Sequence, residues 1–488
     1  MIIQILLEIA GFAYIAASAF VLLYVLAYTV LLLIYVTHRR ADPPPPTVPP
    51  EGWPSVTIQL PIYNEAHVVE RLLHACAALD YPPDKLHIQI LDDSTDHTTD
   101  LIADVLADLR RYNVRRDNIH HIRRAERTGY KAGALAYGLR DVTTDCVAIF
   151  DADFVPAPDF LRRTLPYFSA DRHLAMVQTR WSHLNHDTNW LTRAQSLNID
   201  AHFAVEQVAR NRGGLPMSMN GTGAVWRVSA INAAGGWSAL TLTEDLDLSY
   251  RALLRGWRFL YLRDVAVPGE LPPQVQAYKT QQARWATGST QCLRRHLHDL
   301  LTSPRHNALQ KFMGLTHLGQ YLIQPVLLCL FLLAPPLLLG GFFQRLPAPG
   351  ILSLFGIIPP LLIACGQAAL YDDWPRRLLY FPAQLLVGVA VVLSNSVAVL
   401  RVFLPAQQTD EFKRTPKFRV TAHRENWTTS HYRLTMDGVT FFEGLLTVYA
   451  LGGVWIALAH LPAFAPYMLT YAVAFGVFAA WNLYQTAH

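Results

Sequence analysis

The chain has 488 residues, of which 52% are apolar and only 16% charged, with a formal net charge of +4 and a mean hydropathy of +0.18. Globular chains carry about 25% charged residues, so a wholly aqueous enzyme is excluded, as is disorder over most of the length. The small positive charge does not point to nucleic acid, and a water-facing module joined to several membrane helices fits best. Arginine outnumbers lysine 35 to 6, which we read as the mark of a GC-rich bacterial genome. Cys76, Cys146, Cys292, Cys329 and Cys365 show no CxxC spacing and read as reduced core thiols, not as a disulfide framework or zinc site.

Residues 4–37 form an apolar run whose only charge is Glu8, ending at His38-Arg39-Arg40. The run exceeds the roughly 20 residues that span a bilayer. It lacks the basic start and cleavage site of a signal peptide. It therefore reads as an anchor, residues 1–40, with its C-terminal end in the cytoplasm. Pro43-Pro44-Pro45-Pro46 lies in a linker, 41–52, that reads as a stiff spacer lifting the next domain off the membrane. A soluble module follows over 53–273, then interfacial helices over 274–317. Further apolar runs occupy 318–343, 351–370, 378–404, 439–460 and 464–484.

The segment 405–435 interrupts these runs with Lys413, Arg414, Lys417, Arg419, Arg424 and Arg433, so it is expected in the cytoplasm. It must share a side with the soluble module, and an even number of spans must separate them. The 378–404 run follows Arg376-Arg377, holds Gln384 and Ser394-Asn395-Ser396, and ends at Arg401. It reads as a helix lying along the membrane. Two spans are left within 318–404 and two within 436–488. The total is five, with six as the alternative.

Within the soluble module, Val56–Leu60 alternates apolar and polar residues and predicts a strand. Helical periodicity follows over Ala66–Ala78, about Thr98–Arg110 and Lys131–Leu139. Further strands are expected at Leu86–Leu91, Ile119–Ile122 and Cys146–Phe150. Strands alternating with helices indicate a Rossmann-like α/β domain with a mostly parallel sheet covered on both faces. Its polar clusters sit just past strand C-terminal ends, where ligands bind in such sheets.

Asp151-Ala152-Asp153 follows an apolar strand. Two carboxylates at i and i+2 leaving a strand suit a hard divalent cation with a diphosphate, and the bland alternative is a turn with two solvated aspartates. Asp92-Asp93-Ser94 ends another strand and is by itself equally a helix cap. Pro61-Ile62-Tyr63-Asn64-Glu65 offers an aromatic for stacking a base beside acceptors for its edge, or merely a turn. Thr243-Glu244-Asp245 precedes the amphipathic stretch Leu246–Leu254. It is either an N-cap with acidic first-turn residues or a general base for a sugar hydroxyl. Gln281-Gln282-Ala283-Arg284-Trp285 supplies a guanidinium fork for a pyrophosphate and a flat indole for a sugar ring. Alone it would read as an interfacial helix.

The order Asp-Asp, Asp-Ala-Asp, Thr-Glu-Asp, Gln-x-x-Arg-Trp resembles the membrane-embedded, processive branch of glycosyltransferase family 2, and most closely the plant cellulose-synthase-like mannan and glucan synthases. Ile58–Glu65, Gln89–Asp96, Gly129–Leu135, Asn220–Arg227, Ala234–Trp237 and Phe412–Lys417 carry the likeness, over residues 53 to about 420. The resemblance implies a GT-A-type catalytic domain on the cytoplasmic side plus an α-helical transmembrane region. It assigns Tyr63, Glu65 and Asp93 to the nucleotide base, and Lys131, Gln281 and Arg284 to the diphosphate. Asp151 and Asp153 would hold the nucleotide and Mg²⁺ or Mn²⁺, with Asp153 as the direct ligand. Asp245, within Thr243-Glu244-Asp245, would be the catalytic base. Asn220, Gly221, Thr222 and Trp285 would form the acceptor pocket. Lys413, Arg414, Thr415 and Lys417 would belong to a gating loop, the alternative being a basic strip on lipid headgroups. Ala283 stands where mannan synthases commonly have His, and Gly223 where they usually have Ala.

The expected activity is inverting transfer of a hexose from UDP-glucose or GDP-mannose to a growing β-linked polysaccharide, coupled to translocation. A lipid glycosyltransferase is the rival enzyme and a non-catalytic channel the remote one. The expected partners are a nucleotide sugar, a glycan or lipid acceptor and membrane lipids, with no nucleic acid. The expected location is a bacterial inner membrane.

Overall fold

The computed structural model describes residues 1–39, 41–48, 52–111, 118–346, 356–405, 415–418, 434 and 437–487. The soluble module is built on one seven-stranded sheet: β1 Val56–Ile62, β2 Leu86–Asp92, β3 Ile119–Arg123, β4 Cys146–Ile149, β5 Leu174–His183, β6 Ala224–Arg227 and β7 Arg258–Gly269. Spatial order is β3-β2-β1-β4-β6-β5-β7. The first four strands are mutually parallel, β6 runs antiparallel to β4 and β5, and β7 is parallel to β5. The first four strands and their helices lie within a few residues of the sequence expectation. The last three strands were not anticipated, because β5 and β7 carry no clean two-residue alternation.

Two features of this topology place the site. β1 lies between β2 and β4, so the chain order reverses there, and a crevice opens past the strand C-terminal ends at such a switch point. The sheet is also covered on both faces by buried apolar clusters. The polar residues of β1 therefore do not face water. Thr57 is buried and bonded to Thr144 at 2.8 Å, and Gln59 donates to Gln89 Oε1 at 2.9 Å.

The Pro-rich linker does not lift the domain away. Asp42 accepts from Arg212 Nη2 at 2.9 Å and from the Asp264 amide at 2.7 Å, and Tyr167 donates to the Pro43 carbonyl at 2.6 Å. The anchor helix Ile2–His38 is likewise docked: Ala27, Leu31, Leu32 and Tyr35 belong to one of the domain's buried clusters. A linker tied down at its start, at Asp42 and Pro43, acts as a strap there, and proline stiffness alone does not reveal that.

Among the described residues, five helical stretches are long and apolar enough to cross a membrane: Ile2–His38, Gln320–Leu339, Trp374–Arg401, Val439–His460 and Pro462–Thr486. The number agrees with expectation but one member differs. Ile358–Leu370 has 13 residues, about 20 Å of helix against a core of about 30 Å. The 28-residue stretch Trp374–Arg401, expected to lie along the surface, has the required length. Its polar Ser394, Asn395 and Ser396 are buried against protein instead of marking a water face. Two such stretches, Gln320–Leu339 and Trp374–Arg401, lie between the soluble module and residue 405, an even number.

Candidate active site

The two helices over 274–317, Val275–Thr302 and Ala308–Leu318, cover the side of the crevice. The first carries Gln281, Arg284 and Trp285. A Cβ at Gly288 would stand 2.5 Å from Thr243 Cγ2, so only glycine lets this helix close on the Thr-Glu-Asp segment. Gln291 Oε1 accepts from the Leu242 amide at 2.8 Å, and Thr243 Oγ1 lies 3.5 Å from Cys292 Sγ. Thr243 thus packs against the long helix and makes no side-chain cap on the Glu244–Leu254 helix. One turn on, fully buried Asp247 is held by Arg251 at 2.8 Å, Arg295 at 3.2 Å and His296 at 2.9 Å. The Arg251 pair lies within the Glu244–Leu254 helix, while Arg295 and His296 tie that helix to the long helix Val275–Thr302.

Asp245 and the β4 end meet at Asn220-Gly221-Thr222. Lys131 Nζ donates to Asp151 Oδ1 at 2.6 Å and to the Gly221 carbonyl at 2.9 Å, and lies 3.4 Å from Glu244. Thr222 Oγ1 accepts from the Asp151 amide at 2.9 Å. Gly221 has φ +79°, and a Cβ there would stand 3.7 Å from Asp245 Oδ2 and 3.9 Å from both Asp151 Oδ2 and Lys131 Nζ. One glycine therefore sits where the candidate base, the strand-end carboxylate and the ammonium converge. Gly223, with φ +65°, takes a conformation that penalises a side chain. The departure from the family's alanine thus matches the local backbone.

The electrostatics follow from this crowding. Desolvation, reinforced by the Glu244 charge and opposed by Lys131, pushes the Asp245 carboxyl up to about 7. Burial pulls the Lys131 ammonium down, but Asp151 and Glu244 outweigh it and its pKa ends raised. Arg284 is lowered by desolvation, with Glu244, Asp151, Asp245 and Asp153 pulling the other way. The guanidinium therefore faces the same acidic cluster.

Asp153 is 1% exposed. Its Oδ2 accepts from Lys417 Nζ at 2.7 Å and from the Glu270 amide at 3.2 Å, while Oδ1 is buried without a hydrogen-bond partner among the described residues. Glu270 is bridged to Arg71 at 2.6 Å, and burial raises its carboxyl. Of the expected gating residues, Lys413 and Arg414 lie outside the described residues. Thr415 is buried, and the Phe418 amide donates to Glu270 Oε2 at 3.4 Å. Residues 415–418 are thus docked over the β4 end.

At the β2 end Asp93 is clamped by Arg124 through both guanidinium arms, and Arg127 lies 3.4 Å over the Tyr63 ring. Glu65 is nearly buried beside the Tyr63 turn. Neither Arg124 nor Arg127 had a signal beyond general basicity. Arg71 and Glu270 were missed because β7, which delivers Glu270, was missed. Gln281 and Trp285 are half-buried on the long helix.

Residues 54–288 match the family described as "Glycosyltransferase like family 2". The chain is 42% identical over 257 residues to glucomannan 4-beta-mannosyltransferase 2 of Arabidopsis thaliana, covering 52% of this chain and 48% of that one. It is 45% identical over 248 residues to probable glucomannan 4-beta-mannosyltransferase 4 of Oryza sativa subsp. japonica, covering 50% and 45%. The chain spans about half the length of these curated relatives. They are plant proteins and lend no support to a bacterial membrane. A solved mannosyltransferase from Pyrobaculum calidifontis, in complex with GDP-Man and Mn²⁺, shares the fold with a TM-score of 0.53 at 22% identity, over 80% of this chain and 99% of that one. Residues 54–288 are therefore a glycosyltransferase family 2 domain of GT-A type, carried on a chain with several apolar helices long enough to cross a membrane.

Proposed function

We propose that this protein is an inverting mannosyltransferase that extends a β-linked mannan chain from GDP-mannose. The observation that carries the reading is Asp245, with its pKa held near 7, facing Asp151 and Lys131 across Gly221. The choice of mannose over glucose is supported by the names of the relatives.

Asp245 takes the proton of an acceptor hydroxyl as that oxygen attacks the anomeric carbon, a role needing a base poised near the working pH. Lys131 and Arg284 meet the diphosphate, and Gln281 adds an amide to it. Tyr63, Glu65 and Asp93 receive the base, for which Arg127 must leave the Tyr63 ring. Asn220, Gly221, Thr222 and Trp285 face the acceptor sugar. The residues fit a hard divalent cation: Asp153 Oδ1 is a buried oxygen without a partner among the described residues, Asp151 is two residues away, and Mg²⁺ or Mn²⁺ takes one or two carboxylates plus phosphate oxygens. Such a cation supplies positive charge to the departing diphosphate. Lys417 gives up Asp153 and pairs with that diphosphate, so residues 415–418 close the donor site and exclude water.

The family 2 domain and the 405–435 segment are read as cytoplasmic, with the product passing between the membrane helices. Purified protein in lipid, given GDP-mannose or UDP-glucose in turn, is expected to yield a polymer from GDP-mannose that a β-mannanase digests. A single sugar on a lipid would replace the polymer reading, and absence of nucleotide release from every donor would remove the enzyme.

A further inference from the structure

Between the helices Trp190–Ala201 and Gln207–Arg212 the chain makes one turn of π-helix, His202–Glu206. Such turns are rare and frequent at functional sites. His202 Nε2 lies 3.1 Å from Asn220 Nδ2, and Gln207 Nε2 donates to Asn220 Oδ1 at 2.5 Å. These two residues are five apart. In an α-helix that spacing would put them about 140° apart around the axis, on different faces. The wider turn brings both onto Asn220.

We propose that His202 and Glu206 are a positioning pair for the acceptor loop, acting through Asn220. The proposal rests on the reading of Asn220-Gly221-Thr222 as acceptor-facing. With Gln207 donating to Oδ1, Asn220 Nδ2 donates to His202 Nε2. The other ring nitrogen, Nδ1, then donates to Glu206 Oε2, 3.3 Å away. Glu206 selects the tautomer, and the tautomer orients the amide. Gln178 Oε1 accepts from the Asn220 amide at 3.0 Å, and Trp181 Nε1 donates to the Thr222 carbonyl at 3.3 Å. Asn220 is thereby held from both sides, and the next residue is Gly221, whose carbonyl takes the Lys131 bond beside Asp245. A slip of Asn220 moves the place where the acceptor meets the base.

The test uses the geometry of substitutes for histidine. Glutamine carries its terminal amide near the Nε2 position, asparagine near Nδ1. His202→Gln is expected to keep kcat/KM for the acceptor within about threefold. His202→Ala and His202→Asn are expected to lose on the order of 10–100-fold, the scale of a 1 Å misplacement, with nucleotide affinity and Tm unchanged. In an Asn220→Ala background His202→Ala is expected to cost nothing further. A substrate-independent arm measures amide exchange over 217–224, which His202→Ala should accelerate and His202→Gln should not. Additive losses in the double variant, equal exchange in both variants, or a loss that follows Tm would overturn the proposal. If the wild type uses a donor other than GDP-mannose, the mannan reading fails while the cycle and the exchange still decide the pair.

Discussion

Two strands flanking β1, β2 and β4, end in paired aspartates, and the two ends behave oppositely. At the β2 end Asp92 is fully enclosed and served by the Ser94 amide, Thr99 Oγ1 and His121, which hold its carboxyl down to about 2 despite burial. Asp93 is clamped by Arg124. At the β4 end Asp151 and Asp153 are served by Lys131 and Lys417, and Asp153 Oδ1 has no partner among the described residues. A carboxylate saturated by the framework packed around it, as Asp92 is, is structure. One neutralised by long, flexible lysines, with an oxygen to spare, is a place where a ligand's charges can be exchanged for the protein's own. Burying an unpaired charge is expensive, so the β4 end keeps its lysines close when no ligand is there.

Substitutions on the two sides should divide along that line. The largest effect is expected from Asp245→Asn, next to the β4 cluster: a loss of about 10²–10⁴-fold in transfer with donor binding retained. Because its carboxyl is raised, the wild-type charge costs stability as pH rises from 4 to 7, so the asparagine variant should melt no lower than wild type at neutral pH. Near-normal turnover would remove the base assignment. Titration of wild-type kcat/KM should show an acid limb near pH 7, where Asp245 gives up its proton.

Asp153→Ala should lower transfer at least roughly a hundredfold, the scale of losing several kcal/mol of charge stabilisation. Excess chelator should do the same to the wild type. Full activity in chelator would put the β4 end with the structural carboxylates. On the other side, Asp92→Asn should leave turnover per folded molecule intact and cost about 1–3 kcal/mol of stability. The wild-type carboxyl is depressed from 3.8, so its contribution is full above about pH 4 and is lost as pH falls through 2. Acid melting of wild type and variant should therefore converge near pH 2. A variant that folds normally and cannot bind nucleotide would reverse the comparison.

The smallest effect is expected from Lys417→Ala, a severalfold weakening of nucleotide affinity without change in membrane insertion. A cysteine at Thr415, buried in the docked segment, should react with an impermeant thiol reagent slowly, as the segment opens, and only from the cytoplasmic side, and nucleotide should slow it further. Labelling from outside would overturn the topology. Labelling from inside that ignores nucleotide would leave 415–418 as a lipid-facing strip.

Much of the domain was legible because its information is local. Strands β1 to β4 announce themselves by short apolar runs ending in turn residues, and the two paired-aspartate motifs sit at the ends of β2 and β4. The number of long apolar stretches follows from composition over about 20 residues. What only the tertiary structure decided is whatever depends on partners far away in sequence. Asp92 and Asp93 look like Asp151 and Asp153 until Arg124, His121, Lys131 and Lys417 are in place. Trp374–Arg401 read as a surface helix because its polar residues have no visible partners in sequence, and in the fold they are buried against protein. The Pro-rich strap, the Thr243–Gly288 contact and the π turn that turns His202 and Gln207 onto Asn220 each join residues that no local periodicity connects. Local sequence sets which element forms and what chemistry it carries, while packing sets whether a given charge is satisfied or left available.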